Sequence, residues 1–220
     1  MVRDMFDRIA PRYDLVNRLM TFGLDQGWRR HAVACLGLPA SSLVLDLACG
    51  TGDLVAAARR AGHRPVGADL SFGMLAAAPP GHGPAVQADA VRLPFGDGSL
   101  DGVVSGFGLR NLADLPATLA EVARVVRPGG RLSILEVDTP ASPLLRIGHA
   151  VWFRSVVPRL GALLSDGPAY GYLPRSVAYL PTAERLAALL EAAGFRAVAH
   201  QRLTGGVAQL VCATRADDRS

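Results

Sequence analysis

Short apolar runs alternate with amphipathic segments through the middle of the chain. Leu43 to Leu47, Pro65 to Ala68 and Ala85 to Ala88 are apolar runs of strand length. Asp53 to Ala61 is rich in alanine and typical of a helix. Strands that alternate with helices up to Val137 predict a parallel sheet covered by helices on both faces.

The first forty residues have a different pattern. Apolar side chains recur there at helical spacing between Asp4 and Leu36, and Pro11 and Gly23 are expected to divide the segment into shorter helices. Because this segment precedes the first strand, it can fold over the carboxyl edge of the sheet as a lid. The residues expected to share its buried face are Ile9, Tyr13, Val16, Leu19 and Met20.

The last third of the chain is predicted to add a helix and further strands to the sheet. A helix over Ala183 to Ala193, closed by Gly194, precedes strands near Ala197 to Arg202 and Leu210 to Thr214. We therefore expect a single domain with a lid (1–40), a ligand-binding core (41–137), an insertion (138–181) and a C-terminal helix with strands (182–215). Leu144 to Leu164 is strongly apolar yet carries arginines, so both a core helix pair and a membrane-facing surface stay open.

A glycine turn follows the first predicted strand, and Asp46 lies within that strand. Gly50-Thr51-Gly52 leads into the alanine-rich helix, a geometry that offers backbone N–H groups to a ligand. A third glycine opening the helix, which a dinucleotide site would require, is missing. The turn therefore indicates a nucleoside ligand without a pyrophosphate.

Acidic residues end the next two strands. Asp69 follows the turn by about twenty residues, the spacing at which a carboxylate commonly accepts hydrogen bonds from ribose hydroxyls. Asp89, followed by Ala90, ends the next strand, where it can lie near an adenine edge. Each aspartate alone is as typical of an ordinary turn, but the set favours a crevice for one nucleoside.

Composition excludes several classes of protein. The net charge is +4 and the pI is near 9.4, but the arginines are scattered rather than interleaved with aromatic residues, which disfavours nucleic-acid binding. Three distant cysteines argue against a disulfide framework and a structural zinc site, and the histidines show no metal-ligand spacing. The start lacks the pattern of a signal peptide and no stretch is typical of a membrane span, so we expect a cytoplasmic protein.

Two segments resemble the first motifs of class I S-adenosylmethionine-dependent methyltransferases. These are 46–53, with the sequence DLACGTGD, and 68–71, ADLS, followed by Met74-Leu75. More narrowly, the chain resembles the ubiquinone/menaquinone biosynthesis C-methyltransferase family over nearly its whole length. The segments that carry this resemblance are 5–14 continuing to Asn17, 88–95, 107–111 (FGLRN), 127–131 leading to Glu136, and 169–176.

The resemblance implies a Rossmann-like fold with a seven-stranded, mostly parallel sheet, and S-adenosylmethionine as cofactor. It also implies a prenylated quinol substrate, foremost demethylmenaquinol, and peripheral contact with the inner membrane face. Arg110 and Asn111, at the end of a predicted strand, would grip and stabilise a quinol oxygen, and Tyr13 would relay a proton. The cofactor-binding residues would be Asp46, Gly50, Thr51, Gly52, Asp69, Asp89, Ala90 and Gly106.

The chain departs from the family pattern at two places. Gly106 replaces a usual serine, and Ser105 is a poor substitute because a shift by one residue points the side chain to the other face of the sheet. Gln209 stands near where the family often has a histidine. Another small acceptor therefore stays open. A non-catalytic role in assembling other quinone enzymes is a third hypothesis, against which the intact Gly50, Gly52 and Asp69 argue, and His31 is an alternative base.

Overall fold

The computed structural model describes residues 2–10, 13–140, 142–152, 155 and 179–217. Within them, a group of N-terminal helices precedes strands that alternate with helices. The helices are α1 (Val2–Ile9), α2 (Tyr13–Met20), α3 (Leu24–Cys35), α4 (Asp53–Arg60), α5 (Phe72–Ala76), α6 (Leu115–Val125), α7 (Pro143–Val151) and α8 (Ala183–Ala192). The strands are β1 (Leu43–Leu47), β2 (Arg64–Asp69), β3 (Ala85–Gln87), β4 (Leu100–Gly106), β5 (Val126–Val137), β6 (Phe195–Leu203) and β7 (Ala208–Arg215).

These described strands form one seven-stranded sheet in the order β3-β2-β1-β4-β5-β7-β6. Strands β1 to β5 pair in parallel, while β7 runs antiparallel to both β5 and β6. The predicted α/β fold with a mostly parallel sheet is confirmed. Because the strand order reverses between β1 and β4, a crevice opens at the carboxyl ends of these strands, where open α/β sheets bind ligands.

The central strands β1, β4 and β7 are buried on both faces, as their nearly continuous apolar sequences predict, whereas the edge strands β3 and β6 are largely exposed. In β1, Leu45 and Leu47 point into one apolar cluster and Val44 points into the other, since successive side chains alternate between faces. Helices α6 and α8 contribute to the first cluster, and α3 and α4 contribute to the second. The core fixes the strands, so the carboxyl edge presents its side chains from a rigid support.

The N-terminal helices divide at Gly23, which has a φ of 74° and directly precedes α3, as predicted. Ile9, Val16 and Met20 are buried together, against Tyr13. The prediction for Leu19 is wrong, because its side chain is 44% exposed. Spacing within one helix shows which residues share a face but not whether another element covers that face.

The structure adds a cysteine contact that the sequence spacing does not indicate. Cys35 at the end of α3 and Cys212 in β7 form a disulfide across a Cα–Cα distance of 6.5 Å, although 177 positions separate them in the sequence. Cys49 is free. The pairing depends on the packing of α3 against β7, and cysteine spacing along the chain carries no information about that contact.

Part of the predicted insertion lies outside the described residues. This holds for Phe153, Arg154 and Arg159, and for the segment 169–176 that contributes to the family resemblance. None of the helices in the described part of the chain combines the length and the hydrophobicity that crossing a bilayer requires.

Candidate active site

The glycine turn between β1 and α4 is built from left-handed backbone. Gly50 has a φ of 55° and Gly52 a φ of 87°, conformations that glycine adopts without the steric cost of a side chain. A Cβ at Gly50 would lie 3.0 Å from the Cε of Met74. Gly50 is thus packed closely against Met74, and it also lines the adjoining cavity.

Asp69 ties this turn to the end of β2. One carboxylate oxygen accepts a hydrogen bond from the N–H of Gly50, and the other accepts one from the N–H of Ser71, both at 2.8 Å. Burial raises the pKa of Asp69 above its usual range, and the bonds from Ser71 and Gly50 oppose this shift. Because each carboxylate oxygen has a second lone pair, Asp69 can still accept hydrogen bonds from a vicinal diol.

A cavity of about 470 Å³ opens beside the turn. We call it the cofactor cavity. It lies at the carboxyl ends of β1, β2 and β4, and α1 and α2 close its outer side through Phe6 and Tyr13. The predicted residues that the structure brings to its wall are Gly50, Asp69, Asp89, Ala90, Gly106 and Asn111.

Three predicted cofactor residues lie behind that wall. Gly52 begins α4, and the hydroxyl of Thr51 donates to Asp14 of α2 at 2.6 Å. Asp46 is buried and accepts a hydrogen bond from the N–H of Val55 at 3.1 Å. Burial raises the pKa of Asp46 to about 8, although the nearby Arg29 and the bond from Val55 oppose the shift. These residues shape the turn and the start of α4.

The N-terminal helices are attached to the cofactor cavity by acidic side chains. Asp7 of α1 accepts hydrogen bonds from the Ser71 hydroxyl at 2.5 Å and from the N–H of Gly73 at 2.9 Å. Asp14 of α2 holds Thr51, and burial raises the pKa of Asp14 while the Thr51 bond opposes that rise. The lid thus contacts both the glycine turn and the start of α5.

The structure explains how the chain accommodates Gly106. A Cβ there would lie only 2.7 Å from Cδ1 of Leu54, so the leucine occupies the space that a side chain at position 106 would need. Ser105 points away from the cofactor cavity, and its hydroxyl donates to the carbonyl of Leu47 at 2.8 Å. Ser105 therefore joins β4 to β1 and does not replace a serine at position 106.

A second cavity, of about 390 Å³, lies next to the first. We call it the acceptor cavity. Its walls come from α2, α3, α7 and the ends of β5 and β7, and they are mainly apolar and aromatic, including Phe22, Trp28, Leu144 and Trp152. Polar atoms are few in this cavity, so an extended aromatic or isoprenoid molecule fits it better than a charged one.

Tyr13 and Phe107 line both cavities, so the two spaces meet between these rings. Phe107 has a φ of 61°, a strained conformation for a bulky side chain, and its N–H donates to the carbonyl of Leu135 at 2.8 Å. The guanidinium of Arg29 lies 5.3 Å from the centre of the Phe107 ring. A reacting pair, with one partner in each cavity, would meet at this point.

Arg110 and Asn111 are adjacent in sequence but line different cavities. Arg110 lines the acceptor cavity, whereas Asn111 lines the cofactor cavity. Both residues lie in the short 3-10 turn Leu109–Asn111, from which one side chain reaches each cavity. The expectation that both residues grip one quinol oxygen therefore requires that oxygen to lie where the cavities join.

Arg110 forms a buried ion pair with Glu136 at the end of β5. Arg110 Nε and Glu136 Oε2 have no hydrogen-bond partner among the described residues, although both atoms are buried. Buried polar atoms are nearly always paired in proteins, so this pair has capacity left for a ligand or a water molecule.

Sequence reasoning missed several polar residues of the acceptor cavity. Asp25 and Arg29, four residues apart on α3, are both buried and pair at 3.5 Å. Arg29 also lies 3.6 Å from Asp53. The sequence indicates that Asp25 and Arg29 can pair, because an acid and a base four residues apart face the same side of a helix. That this side faces the acceptor cavity depends on tertiary packing.

Two other residues lie away from both cavities. His31 is exposed on α3 and pairs with Gln201 at 2.9 Å, so its position does not suit a base. Gln209 contacts the carbonyl of Val137 and, through its side-chain oxygen, His200. The segment before it does approach the acceptor cavity, since Val207 lines the wall.

Known proteins that are similar to this chain identify its family. The model of the ubiE/COQ5 methyltransferase family matches residues 1–215. The chain belongs to this family. A demethylmenaquinone methyltransferase of Thermus thermophilus is 46% identical over 94% of this chain and 97% of its own length. A ubiquinone/menaquinone biosynthesis C-methyltransferase UbiE of Syntrophotalea carbinolica is 44% identical over 97% of this chain and 93% of its own length.

Solved structures agree on the fold of this family member. A possible histamine N-methyltransferase from Thermotoga maritima covers 98% of this chain and is covered completely, with a TM-score of 0.68 at 19% identity. A phosphoethanolamine N-methyltransferase of Haemonchus contortus, solved with S-adenosyl-L-methionine, covers 99% of this chain, with 60% of its own length matched, a TM-score of 0.69 and 16% identity. These likenesses concern the fold alone.

Proposed function

We propose that this protein methylates a ring carbon of a prenylated quinol, foremost demethylmenaquinol, with S-adenosylmethionine as the methyl donor. The observation that carries the proposal is the junction of two unlike cavities at Tyr13 and Phe107, one with carboxylates on its wall and one apolar and aromatic. Membership of the ubiE/COQ5 methyltransferase family and the names of its relatives support this reaction class.

The cofactor cavity fits S-adenosylmethionine. Asp69 has lone pairs left for the ribose hydroxyls, and Asp89 stands on the same wall. Gly50 lies on this wall too. When bound, S-adenosylmethionine supplies a methyl group on a positively charged sulfur that leaves as a neutral thioether. The protein has to align this methyl group with the acceptor and to exclude water.

The acceptor cavity would hold the quinol ring next to Tyr13 and Phe107. A quinol ring becomes nucleophilic at carbon when its hydroxyl loses a proton. Arg110 lines this cavity, so its guanidinium can stabilise negative charge on the quinol oxygen. Glu136 holds Arg110 in place, and Asn111 would orient the ring from the neighbouring wall. In this proposal Arg110, Asn111 and Tyr13 are the catalytic residues.

A test would follow transfer of labelled methyl from S-adenosylmethionine to reduced demethylmenaquinone, with a prenylated benzoquinol and non-quinol phenols assayed in parallel. We expect label in the naphthoquinol ring, at a carbon. Transfer to oxygen, or transfer to the phenols alone, would overturn the proposal. Transfer to the benzoquinol alone would move the substrate to the ubiquinone branch.

We also propose that the enzyme touches a bilayer with the surface around the mouth of the acceptor cavity. Large apolar side chains that line this cavity are exposed in the segment between α2 and α3, at the start of α3 and on α7, with Phe22 at 73% and Leu144 at 79%. We call this surface the apolar rim. Its members are Phe22, Leu24, Leu144 and Leu145.

Two contacts join the two sides of the apolar rim. The indole N–H of Trp152 donates to the carbonyl of Met20 at 3.0 Å, and the rings of Trp152 and Phe22 lie 4.7 Å apart. Exposed Arg18 and Arg146 extend from the same helices, which suits anionic lipid headgroups. A prenyl chain would then pass from the lipid into the acceptor cavity without crossing water.

Flotation with vesicles that contain anionic lipid tests this contact. The double substitution Phe22→Ser and Leu144→Ser should reduce the bound fraction by about tenfold, since it removes two large apolar side chains from the lipid. Phe72→Ser, at an exposed position on α5 outside the rim, is the matched control. Equal binding of the two variants would contradict the role of the apolar rim.

A further inference from the structure

The proposed reaction needs a group that accepts the hydroxyl proton of the quinol, and the arginines of the acceptor cavity cannot do so. Arginine side chains keep their proton in folded proteins, so Arg29 and Arg110 can stabilise an anion but not create one. His31 lies on the surface, and Glu136 is not among the residues that line the acceptor cavity. The base has to be sought among the other residues of the cavity wall.

Asp25 is the only carboxylate among the described residues that line the acceptor cavity. It lies in the first turn of α3, and only 1% of its surface is exposed. One of its oxygens accepts from the Thr21 hydroxyl at 2.9 Å. The other accepts from the amide of Gln26 at 3.1 Å and faces Nε of Arg29 at 3.5 Å. Such a buried carboxylate on an apolar wall is unusual unless it has a function.

We propose that Asp25 is the general base that takes the proton from the quinol hydroxyl. This inference rests on the proposed function, since it assigns a role within that reaction. Three donors hold the carboxylate in a defined orientation at the wall of the cavity. Arg29 also contacts Asp53 and the Phe107 ring, and thereby connects the base with the junction of the two cavities.

The proton balance of the step is complete. The O–H bond of the quinol breaks, the proton binds to a carboxylate oxygen of Asp25, and the released electron pair enters the ring. The ring carbon bonds to the methyl carbon while the carbon–sulfur bond breaks with its electron pair on sulfur. The same ring carbon then loses its hydrogen as a proton to solvent, and the ring oxygen regains a proton from Asp25. One proton is released per turnover.

Several charged groups surround Asp25 and enter any pH dependence. Arg29 faces it from the same helix, Asp53 lies beyond Arg29 on α4, and Arg18 reaches Asp53 from α2 at 3.6 Å. Tyr13 and Arg110 line the same cavity. Since all the variants described below keep these groups, differences between their pH profiles report on position 25.

The test compares Asp25→Asn with the wild type. We expect kcat at neutral pH to fall by about 100-fold or more, the usual contribution of a general base, with unchanged affinity for S-adenosylmethionine. The deficit should shrink as the pH rises, because hydroxide and the ionised quinol then replace the base. His31→Ala, an exposed substitution on the same helix, is the matched control and should keep the wild-type rate.

Asp25→Glu tests the inference without removing the charge, and it serves if the asparagine variant does not fold. Moving the carboxylate by one methylene should lower kcat by about tenfold while the rate keeps its pH profile. A wild-type kcat in either variant, or a deficit of Asp25→Asn that is the same at every pH, would overturn the role of Asp25 and leave the proposed function intact. A wild-type enzyme that methylates no quinol would overturn both.

Discussion

The two cavities that meet at Tyr13 and Phe107 are built in different ways. The cofactor cavity depends on strand ends and main-chain groups close to one another in the sheet, such as the Gly50 N–H that Asp69 holds. The acceptor cavity is assembled from side chains of helices far apart in sequence, among them Trp28 of α3 and Leu144 of α7. A site for a shared cofactor can thus rest on local backbone geometry, whereas a site for a particular acceptor requires tertiary convergence.

The largest expected effect is a loss of affinity for the cofactor when a residue of the cofactor cavity is changed. Asp69→Ala removes the acceptor for two backbone N–H groups and for the ribose, so the affinity for S-adenosylmethionine should fall by about 100-fold or more. Calorimetry measures it. Asp97→Asn, on a side chain that is 83% exposed, should bind normally. Near-normal binding by the Asp69 variant would mean that the cofactor does not use this carboxylate.

The next effect concerns the acceptor cavity. Arg110→Leu leaves Glu136 buried without its partner, so the free energy of unfolding should fall by about 3–5 kcal/mol. Turnover should fall by about 100-fold or more. The double variant Arg110→Leu and Glu136→Leu should regain most of the stability but none of the activity.

Denaturant unfolding and the methyl-transfer assay measure the two parts of this prediction separately. Affinity for S-adenosylmethionine should be unchanged in the folded double variant, because neither residue lines the cofactor cavity. Recovery of activity along with stability would assign Arg110 a purely structural role.

A smaller effect is expected at Gly106. Gly106→Ser should destabilise the protein by about 1–3 kcal/mol, because its Cβ would lie 2.7 Å from Cδ1 of Leu54. Adding Leu54→Ala makes room, so the double variant should lose less stability than the two single variants together. Thermal unfolding and cofactor titration of all three variants measure this coupling, and simple additivity would contradict it.

A further effect is a pH dependence behind the glycine turn. Burial raises the pKa of Asp46 from 3.8 to about 8, so between these values the folded protein holds a proton that the unfolded chain has released. A rise of pH through this window therefore favours unfolding. Asp46→Asn should flatten the decline of the melting temperature across the window, measured without cofactor. A decline as steep as that of the wild type would contradict the assignment.

The cofactor side was predictable because its determinants are local. An apolar run, glycines with positive φ and an aspartate about twenty residues later define a strand, a turn and an acidic strand end. The predicted positions Gly50, Asp69 and Asp89 accordingly meet at one cavity. Their contacts with S-adenosylmethionine stay predictions, as do the catalytic roles of Tyr13, Arg110 and Asn111.

The tertiary contacts of the helices, including those around the acceptor cavity, were harder to predict from the sequence. Leu19 was expected to be buried and is exposed, and the disulfide between Cys35 and Cys212 was not foreseen. Asp25 was not singled out at all, although Arg29 follows it at helical spacing. In each case, periodicity defines which residues share a helix face but not which neighbour, cavity or solvent that face meets.

The alternation of strands and helices, the glycine turn and the membership of the ubiE/COQ5 methyltransferase family can all be read from the amino-acid sequence. These features rest on hydrophobic period, backbone freedom and residue motifs, all of which are local. Three other features become visible only in the folded protein: Arg110 and Asn111 line different cavities, Leu54 fills the space beside Gly106, and Asp25 lies on an apolar wall. Those features depend on how helices distant in sequence pack over one sheet edge, and such packing is a property of the whole chain.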